Sequence, residues 1–311
     1  MATSTNSLPS FYDPGRIGTL FHPDVAAIAA EAGNAKLPPA TDDKTKVHLL
    51  IVDMQVDFCH ERGTLFVPGA KEDIRRLIEF IYRDAARITD ITCSLDSHLP
   101  HQIFHPAWWV DANGQHPAPF TIITRRDVKT GKWRPVREPD WSLRYVQKLR
   151  QRAKKDLTIW PYHVPMGGVG NALDPELWSA VFWHALARGS QPTMWTKGSV
   201  PQTEHYSIVR PEVFVPGVSK AGKEFLAMLR SRDHILIAGE AASHCVLETV
   251  EDLVEEFTDE PGMLNKLYIL RDCTSPVRHP RVDFAALTAQ RFAEFEKQGI
   301  HFLNSTDPLP F

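Results

Sequence analysis

A thiol, a carboxylate and an ammonium in this 311-residue chain are spaced so that they could together cleave an amide. Cys245 closes the run Ile235-Leu-Ile-Ala-Gly-Glu-Ala-Ala-Ser-His-Cys245. Its first four residues form an apolar stretch suited to a buried strand, which Gly239 breaks. Beyond it Val246, Val250, Leu253, Val254 and Phe257 recur at helical spacing. Cys245 is therefore expected at a helix start, where free backbone N–H groups and the positive end of the dipole favour thiolate. Asp53 follows the apolar run 46–52, and Lys197 follows a short run at 193–196. In such a set the thiol attacks a carbonyl carbon, the carboxylate takes its proton and returns it to a leaving amine, and the ammonium offsets both anions. Taken one at a time each has a plainer reading: Cys245 as a buried structural thiol, Asp53 as a turn cap, Lys197 as a solvated surface lysine.

A second set lies in Asp96-Ser-His98. Residues two apart in extended backbone project to the same side, so Asp96 and His98 could both face one ion. His163 is a third candidate ligand, and His101 and His105 are either a fourth or loop decoration. Two imidazoles and a carboxylate suit Zn, Fe or Mn with positions left open. An Asp–His hydrogen bond without metal is the alternative.

The elements that must position these groups follow from hydrophobic pattern. Apolar strand-like runs at 46–52, 88–94, 193–196, 235–238 and 267–270 alternate with helical spacing at 74–81, 178–186 and 225–229, from Cys245 onward, and at 281–297, where Gly299 supplies a stop. That alternation predicts a parallel α/β sheet with helices on both faces. Ligands of such sheets bind beyond the carboxyl ends of the strands, where Asp53, Lys197 and Cys245 all fall. Residues 1–45, rich in Pro, Ser, Gly and Asp, read as an N-terminal extension with one helix at 25–32, and residues 46–311 as the main domain. The stretch 99–159, rich in Pro, Trp, His and Arg with one short helix at 141–153, reads as a lid or binding insertion after the second strand. Asp53-Met-Gln after the first strand replaces the glycine-rich turn that a dinucleotide would need.

Bulk properties narrow the class further. The chain is 43% hydrophobic and 23% charged, as expected of a soluble globular protein with a sizeable core. A formal charge of −3 gives no electrostatic case for nucleic acid or an anionic membrane as partner. No apolar run approaches membrane-spanning length, and residues 1–20 lack the order of a signal peptide. Cys59, Cys93, Cys245 and Cys273 are scattered without a C-x-x-C pair, which suits a reducing, cytoplasmic setting.

Several motifs then occur in one order: Leu49-Leu-Ile-Val-Asp53-Met-Gln-Val-Asp57-Phe58-Cys59, Gly63-Thr-Leu-Phe-Val-Pro-Gly69, Asp96-Ser-His98, Trp160-Pro-Tyr-His163, Thr196-Lys197-Gly198 and Gly239-Glu-Ala-Ala-Ser-His-Cys245. Together, over residues 46–304, they resemble the isochorismatase-like cysteine hydrolases, the nicotinamidase-related branch in particular. The resemblance implies a Rossmann-like three-layer fold with a parallel six-stranded sheet. It implies a triad of Asp53, Lys197 and Cys245 hydrolysing a small carboxamide through a thioester, nicotinamide to nicotinate and ammonia being the type reaction. The oxyanion hole would be the backbone N–H groups of Ala241 and Cys245, with a cis peptide at Glu240–Ala241. Asp96, His98 and His163 would hold a divalent metal, zinc foremost and Fe or Mn otherwise, with an open position for a pyridine nitrogen. Phe58, Trp160 and Tyr206 would sandwich the ring. The expected partner is a small-molecule amide, with neither nucleic acid nor membrane involved, and a homo-oligomer is expected.

The chain also departs from that pattern. Val56 stands where Asn is typical, Val164 where Cys is common, and His105 is out of step with the family's additional metal-side His. The insertion is long and carries Trp108, Trp109, Trp133 and Trp141, which either pack it on itself or line a pocket for a larger amide. Hydrolysis of another amide or carbamoyl compound is the alternative activity. An inactive relative that binds a partner protein is the alternative from another class.

Overall fold

The computed structural model describes residues 8–152, 155–218, 222–278 and 282–311. Its centre is β1 (Val47–Val52), six residues that are all buried. Their alternation divides the core: Leu49 and Ile51 face one apolar cluster, Leu50 and Val52 the other. Around it stand β2 (Asp90–Asp96), β3 (Thr193–Lys197), β4 (His234–Gly239), β5 (Leu267–Leu270) and β6 (His301–Leu303). All pair in parallel, in the spatial order β6-β5-β4-β1-β2-β3. The longer helices are α1 (Val25–Asn34), α2 (Ala70–Asp84), α3 (Pro139–Arg152), α4 (Pro175–Arg188), α5 (Lys223–Arg230), α6 (Cys245–Phe257) and α7 (Phe284–Lys297).

The apolar stripes of these helices fix the layers. Ile74, Leu77, Ile78 and Ile81 of α2 and Leu177, Ala180 and Val181 of α4 cover one face, with Ile28 and Ala32 of α1 joining the same cluster. Phe225 and Leu229 of α5, Val246, Val250 and Leu253 of α6 and Phe295 of α7 cover the other. The result is the expected three-layer α/β architecture. Arg188, fully buried, ties the extension down: its Nη2 lies 2.5 and 2.6 Å from the Asp43 carboxylate, and Nη1 donates to the Pro38 carbonyl.

Several boundaries differ from the sequence expectation. β2 runs to Asp96 rather than 94, and β3 to Lys197 rather than 196, so both polar residues are strand termini. β6 is absent from the expected strands, because its three residues are at most partly buried and form no apolar run. α3 starts at Pro139, where proline suits the first helical position. α7 starts at Phe284, capped by the Asp283 side chain on Ala286 N. Ala153, Arg281 and residues 1–7 lie outside the described residues.

Residues 99–159 supply most of a third apolar cluster, which Trp160, Val213 and Val215 complete. Trp108, Trp109, Trp141 and Tyr145 are buried against Ile103, Ile123, Leu149 and Leu157, with Trp133 at the margin. Two short antiparallel ribbons, Trp109–Val110 with Arg134–Pro135 and Ile122–Ile123 with Leu157–Thr158, close the framework. Trp108 Nε1 donates to Ser142 Oγ at 3.0 Å and Trp109 Nε1 to the Ile103 carbonyl at 2.6 Å. Of the two roles open to these tryptophans, packing the insertion on itself is the one observed. Among the described residues no helix is long and apolar enough to cross a membrane.

From β1 the chain builds outward to β2 and β3 on one side, then returns to build β4, β5 and β6 on the other. The order therefore reverses between β1 and β4, and the crevice beyond their carboxyl ends is where such sheets bind ligands. Trp109→Ala, which empties the centre of the insertion cluster, should cost about 3–5 kcal/mol in a denaturant titration. Hydrogen exchange should quicken first within residues 103–159 while β1 and β4 stay protected.

Candidate active site

Four neighbouring strand ends deliver four reactive side chains to that crevice. Asp53 follows β1 in a left-handed backbone conformation, φ +46°, which is uncommon outside glycine and clusters at functional sites. Asp96 ends β2, Lys197 ends β3, and Cys245 opens α6 after the turn that leaves β4. Lys197 Nζ lies 2.8 Å from Asp53 Oδ2, 3.1 Å from Asp96 Oδ1 and 3.7 Å from Cys245 Sγ, and donates to the His205 carbonyl at 3.0 Å. Ser94 Oγ donates to Asp53 Oδ1 at 2.6 Å and accepts from Asp53 N at 3.1 Å.

All four groups are buried. Burial alone would lower the Lys197 pKa, but Asp53, Asp96 and Cys245 more than reverse this and raise it, so the ammonium stays charged. Burial and the Asp96 charge raise the Asp53 pKa despite Lys197 and Ser94. Asp96 goes the other way: His98, Lys197 and His163 overcome its burial and hold it well below the usual carboxylate range. One ammonium between two carboxylates thus separates an ionised anion from a more basic one. Burial, with Asp53 and Asp96 beside it, pushes the Cys245 thiol well up despite Lys197. The helix start at Cys245 is where it was expected, and burial works against the thiolate that such a start favours.

The peptide Glu240–Ala241 is cis, as the resemblance implied. Ala242 N donates to the Ser275 carbonyl and His244 N to that of Ala241. Among the described residues neither Ala241 N–H nor Cys245 N–H has a backbone hydrogen-bond acceptor, so both remain available to a ligand. Gly239, φ +128°, lies so close to Val52 that a Cβ there would overlap the β1 backbone. Gly198, φ +83°, is equally constrained, because a Cβ would run into the Asp96 carboxylate and the His98 ring.

Asp96, His98 and His163 are buried, with ligand atoms within 4.8 Å of one another. His98 Nδ1 lies 3.1 Å from the Gly198 carbonyl and His163 Nδ1 2.7 Å from that of Pro161. Those contacts place the ring protons on Nδ1 and turn both Nε2 atoms toward Asp96, at 2.8 and 4.0 Å. Burial and neighbouring His98 hold His163 neutral, its pKa well below the ordinary value. Two imidazole nitrogens and a carboxylate within this distance form a donor set that fits a divalent ion. The segment bearing His163 is pinned from two sides. His98 N donates to the Val164 carbonyl at 3.1 Å, and Val164 N to Asp57 Oδ2 at 2.6 Å. His105 is buried, its ring 5.8 Å from that of His98, but lies outside the three-ligand group. His101 is exposed and takes no part.

Above these groups is a small cavity with mostly apolar walls. Phe58, Trp160 and Tyr206, the three expected wall residues, line it together with Leu65, Val67 and Val277, while Cys245, Ala241, Asp96 and His163 form its base. His244 is a further wall residue that sequence reasoning missed, its ring 5.4 Å from Trp160 and 5.7 Å from Tyr206. Adjacency to Cys245 was the available signal. Gln55 was missed too: it accepts from Asp96 N and donates to the Asp96 carbonyl, both at 2.8 Å, clamping the end of β2. Ser94 was missed as well; the register of β1 on β2 sets it opposite Val52, one residue before Asp53.

The sequence matches no protein-family model and no curated protein. Solved structures do match. The yeast nicotinamidase Pnc1p superposes with a TM-score of 0.56 at 18% identity, covering 83% of this chain and 99% of that one. An Acinetobacter baumanii nicotinamidase/pyrazinamidase gives 0.56 at 18% identity, over 86% and 100%. PnC1 from L. infantum, solved with nicotinate, gives 0.50 at 20% identity, over 85% and 95%. The likeness is one of fold, an α/β architecture around a parallel six-stranded sheet.

After exhaustive chelation, re-adding Zn²⁺ or Mn²⁺ should raise the melting temperature of the protein. An ion at a hundred times its dissociation constant adds about 2.7 kcal/mol. His163→Ala should remove that shift, and a wild-type melt indifferent to all divalent ions would leave the cluster a proton-bridged pair.

Proposed function

We propose that this chain is a cysteine amidohydrolase that converts a small ring carboxamide of the nicotinamide kind to its carboxylic acid and ammonia. The observation that carries this is the approach of one ammonium to both a carboxylate and a thiol. Lys197 Nζ sits 2.8 Å from Asp53 and 3.7 Å from Cys245 Sγ, at the base of an aromatic-walled cavity. The solved structures with this fold that are named as nicotinamidases, and the related one holding nicotinate, support the same reading.

The chemistry follows from the protonation states. Asp53, made more basic by burial, accepts the proton of Cys245 as sulfur attacks the carboxamide carbon. The carbonyl oxygen becomes an oxyanion facing the N–H groups of Ala241 and Cys245. Asp53 then passes its proton to the amide nitrogen, the C–N bond breaks, ammonia leaves and a thioester remains. Water, losing a proton to Asp53, adds to the thioester; the acid departs and Cys245 recovers its proton. Lys197 offsets the anion at each stage and is itself too tightly held between carboxylates to serve as the acid. Asp96, His98 and His163 would hold a divalent ion, zinc suiting two imidazoles and a carboxylate. When bound, such an ion offers an open position to a pyridine nitrogen. Phe58, Trp160 and Tyr206 hold the ring over Cys245. The insertion tryptophans are packed away from this space, which favours a small substrate over a larger amide.

Cys245→Ala should abolish ammonia release from nicotinamide without lowering the melting temperature appreciably; undiminished turnover would sink the mechanism. Asp53→Asn should lower kcat by about 10²–10⁴ in the same assay. Asp53 acts as base only when ionised, and its pKa is raised. The rate should therefore fall as pH is lowered, on a limb above the ~3.9 of an ordinary aspartate. A limb at or below that value would contradict the assignment.

A further inference from the structure

We infer that Glu204 is a positioning residue that holds the two aromatic walls, Trp160 and Tyr206, at the spacing a flat substrate needs, an inference that rests on the hydrolase reading above. Glu204 is 3% exposed and lies on the loop after β3. Its Oε1 accepts from Tyr206 Oη at 2.5 Å and Trp160 Nε1 at 3.2 Å, and its Oε2 from Tyr145 Oη at 2.9 Å. Trp160 Nε1 also donates to Tyr206 Oη at 2.8 Å, closing a triangle among carboxylate, indole and phenol. Each partner donates and the carboxylate only accepts, the arrangement that makes a buried carboxylate tolerable.

The hydrogen bonds of this network do not extend to Asp53, Lys197, Cys245 or the histidine cluster, so it has no part in the bond-breaking steps. What it does is join separate segments. Trp160 follows the insertion, Tyr206 and Glu204 come from the loop after β3, and Tyr145 comes from α3 inside the insertion. Tyr145 Oη additionally accepts from Glu204 N at 3.1 Å. Beneath the wall, Lys155 Nζ lies 4.6 Å from the centre of the Tyr206 ring and bridges Glu212 and Glu248 at 2.8 and 2.7 Å. That cation backs the ring electrostatically. Without the Glu204 carboxylate the indole N–H and the phenol keep only each other, and two walls on different loops lose their common anchor.

Wall spacing acts on binding, whereas the triad acts on chemistry, so the kinetic constants should separate. Glu204→Ala should raise KM for nicotinamide by about tenfold or more and leave kcat within about threefold. Glu204→Gln keeps one acceptor oxygen for Trp160 and Tyr206 and should restore KM to within about threefold of the native value. If Glu204→Ala does not fold, Glu204→Asp, shorter by one methylene and unable to reach both walls, should move KM the same way. The indole N–H resonance of Trp160, assigned by its loss in Trp160→Phe, should shift in the Ala and Asp variants and hold in Gln. An unmoved indole resonance with unchanged KM overturns the inference, as does a fall in kcat at constant KM. If the native protein hydrolyses no ring carboxamide, the hydrolase reading fails; the indole resonance still decides whether Glu204 holds Trp160.

Discussion

A buried ammonium held between two buried carboxylates organises the end of the sheet. Lys197 lies on the outer strand, two strands from β1, a span of about 9–10 Å at ordinary strand spacing. Only a long cationic side chain bridges that distance to reach Asp53 and then Cys245. Removing such a cation would leave two uncompensated anions, and breaking a buried pair typically costs about 3–5 kcal/mol. The same contact therefore holds the strand ends together and sets the acid–base properties of the residues around it. Gly198, bare of side chain, is the condition for Asp96 and His98 to come so close.

Much of this frame is legible in the chain. β1, β4 and β5 are apolar runs almost wholly buried, and a run of that kind declares both the strand and the end at which it stops. Asp53 stands out because it follows such a stop and Cys245 because it follows the turn after one, whereas Lys197 ends a largely exposed strand. β6 escapes because three partly exposed residues carry no pattern, and the ribbons of the insertion because two-residue strands have no period. Leu65, Val277 and Glu204 reach the cavity or its walls only through tertiary packing, which no spacing along the chain announces.

The state of Cys245 shows where local reasoning stops. A helix start favours thiolate by a local field that the sequence can report. Burial beside Asp53 and Asp96 acts in the opposite sense. Those carboxylates come from strands remote in sequence, so their effect on the thiol is visible only once the strands are in register. The insertion teaches a similar lesson. From sequence its tryptophans could either pack the segment on itself or line a pocket, and only the assembled cluster shows the first.

The parallel register has one more consequence. Asp53, Asp96 and Lys197 stand at the ends of adjacent strands whose separations are dictated by backbone hydrogen bonds, as marks on a ruler are dictated by its divisions. Phe58, Leu65, Trp160, Tyr206 and Val277 hang from connecting segments that no such ladder spaces. Reacting groups and walls are thus mechanically decoupled. A lineage can reshape the chamber, by loop length or by a change of aromatic, while the intervals among its charges stay where the peptide backbone sets them.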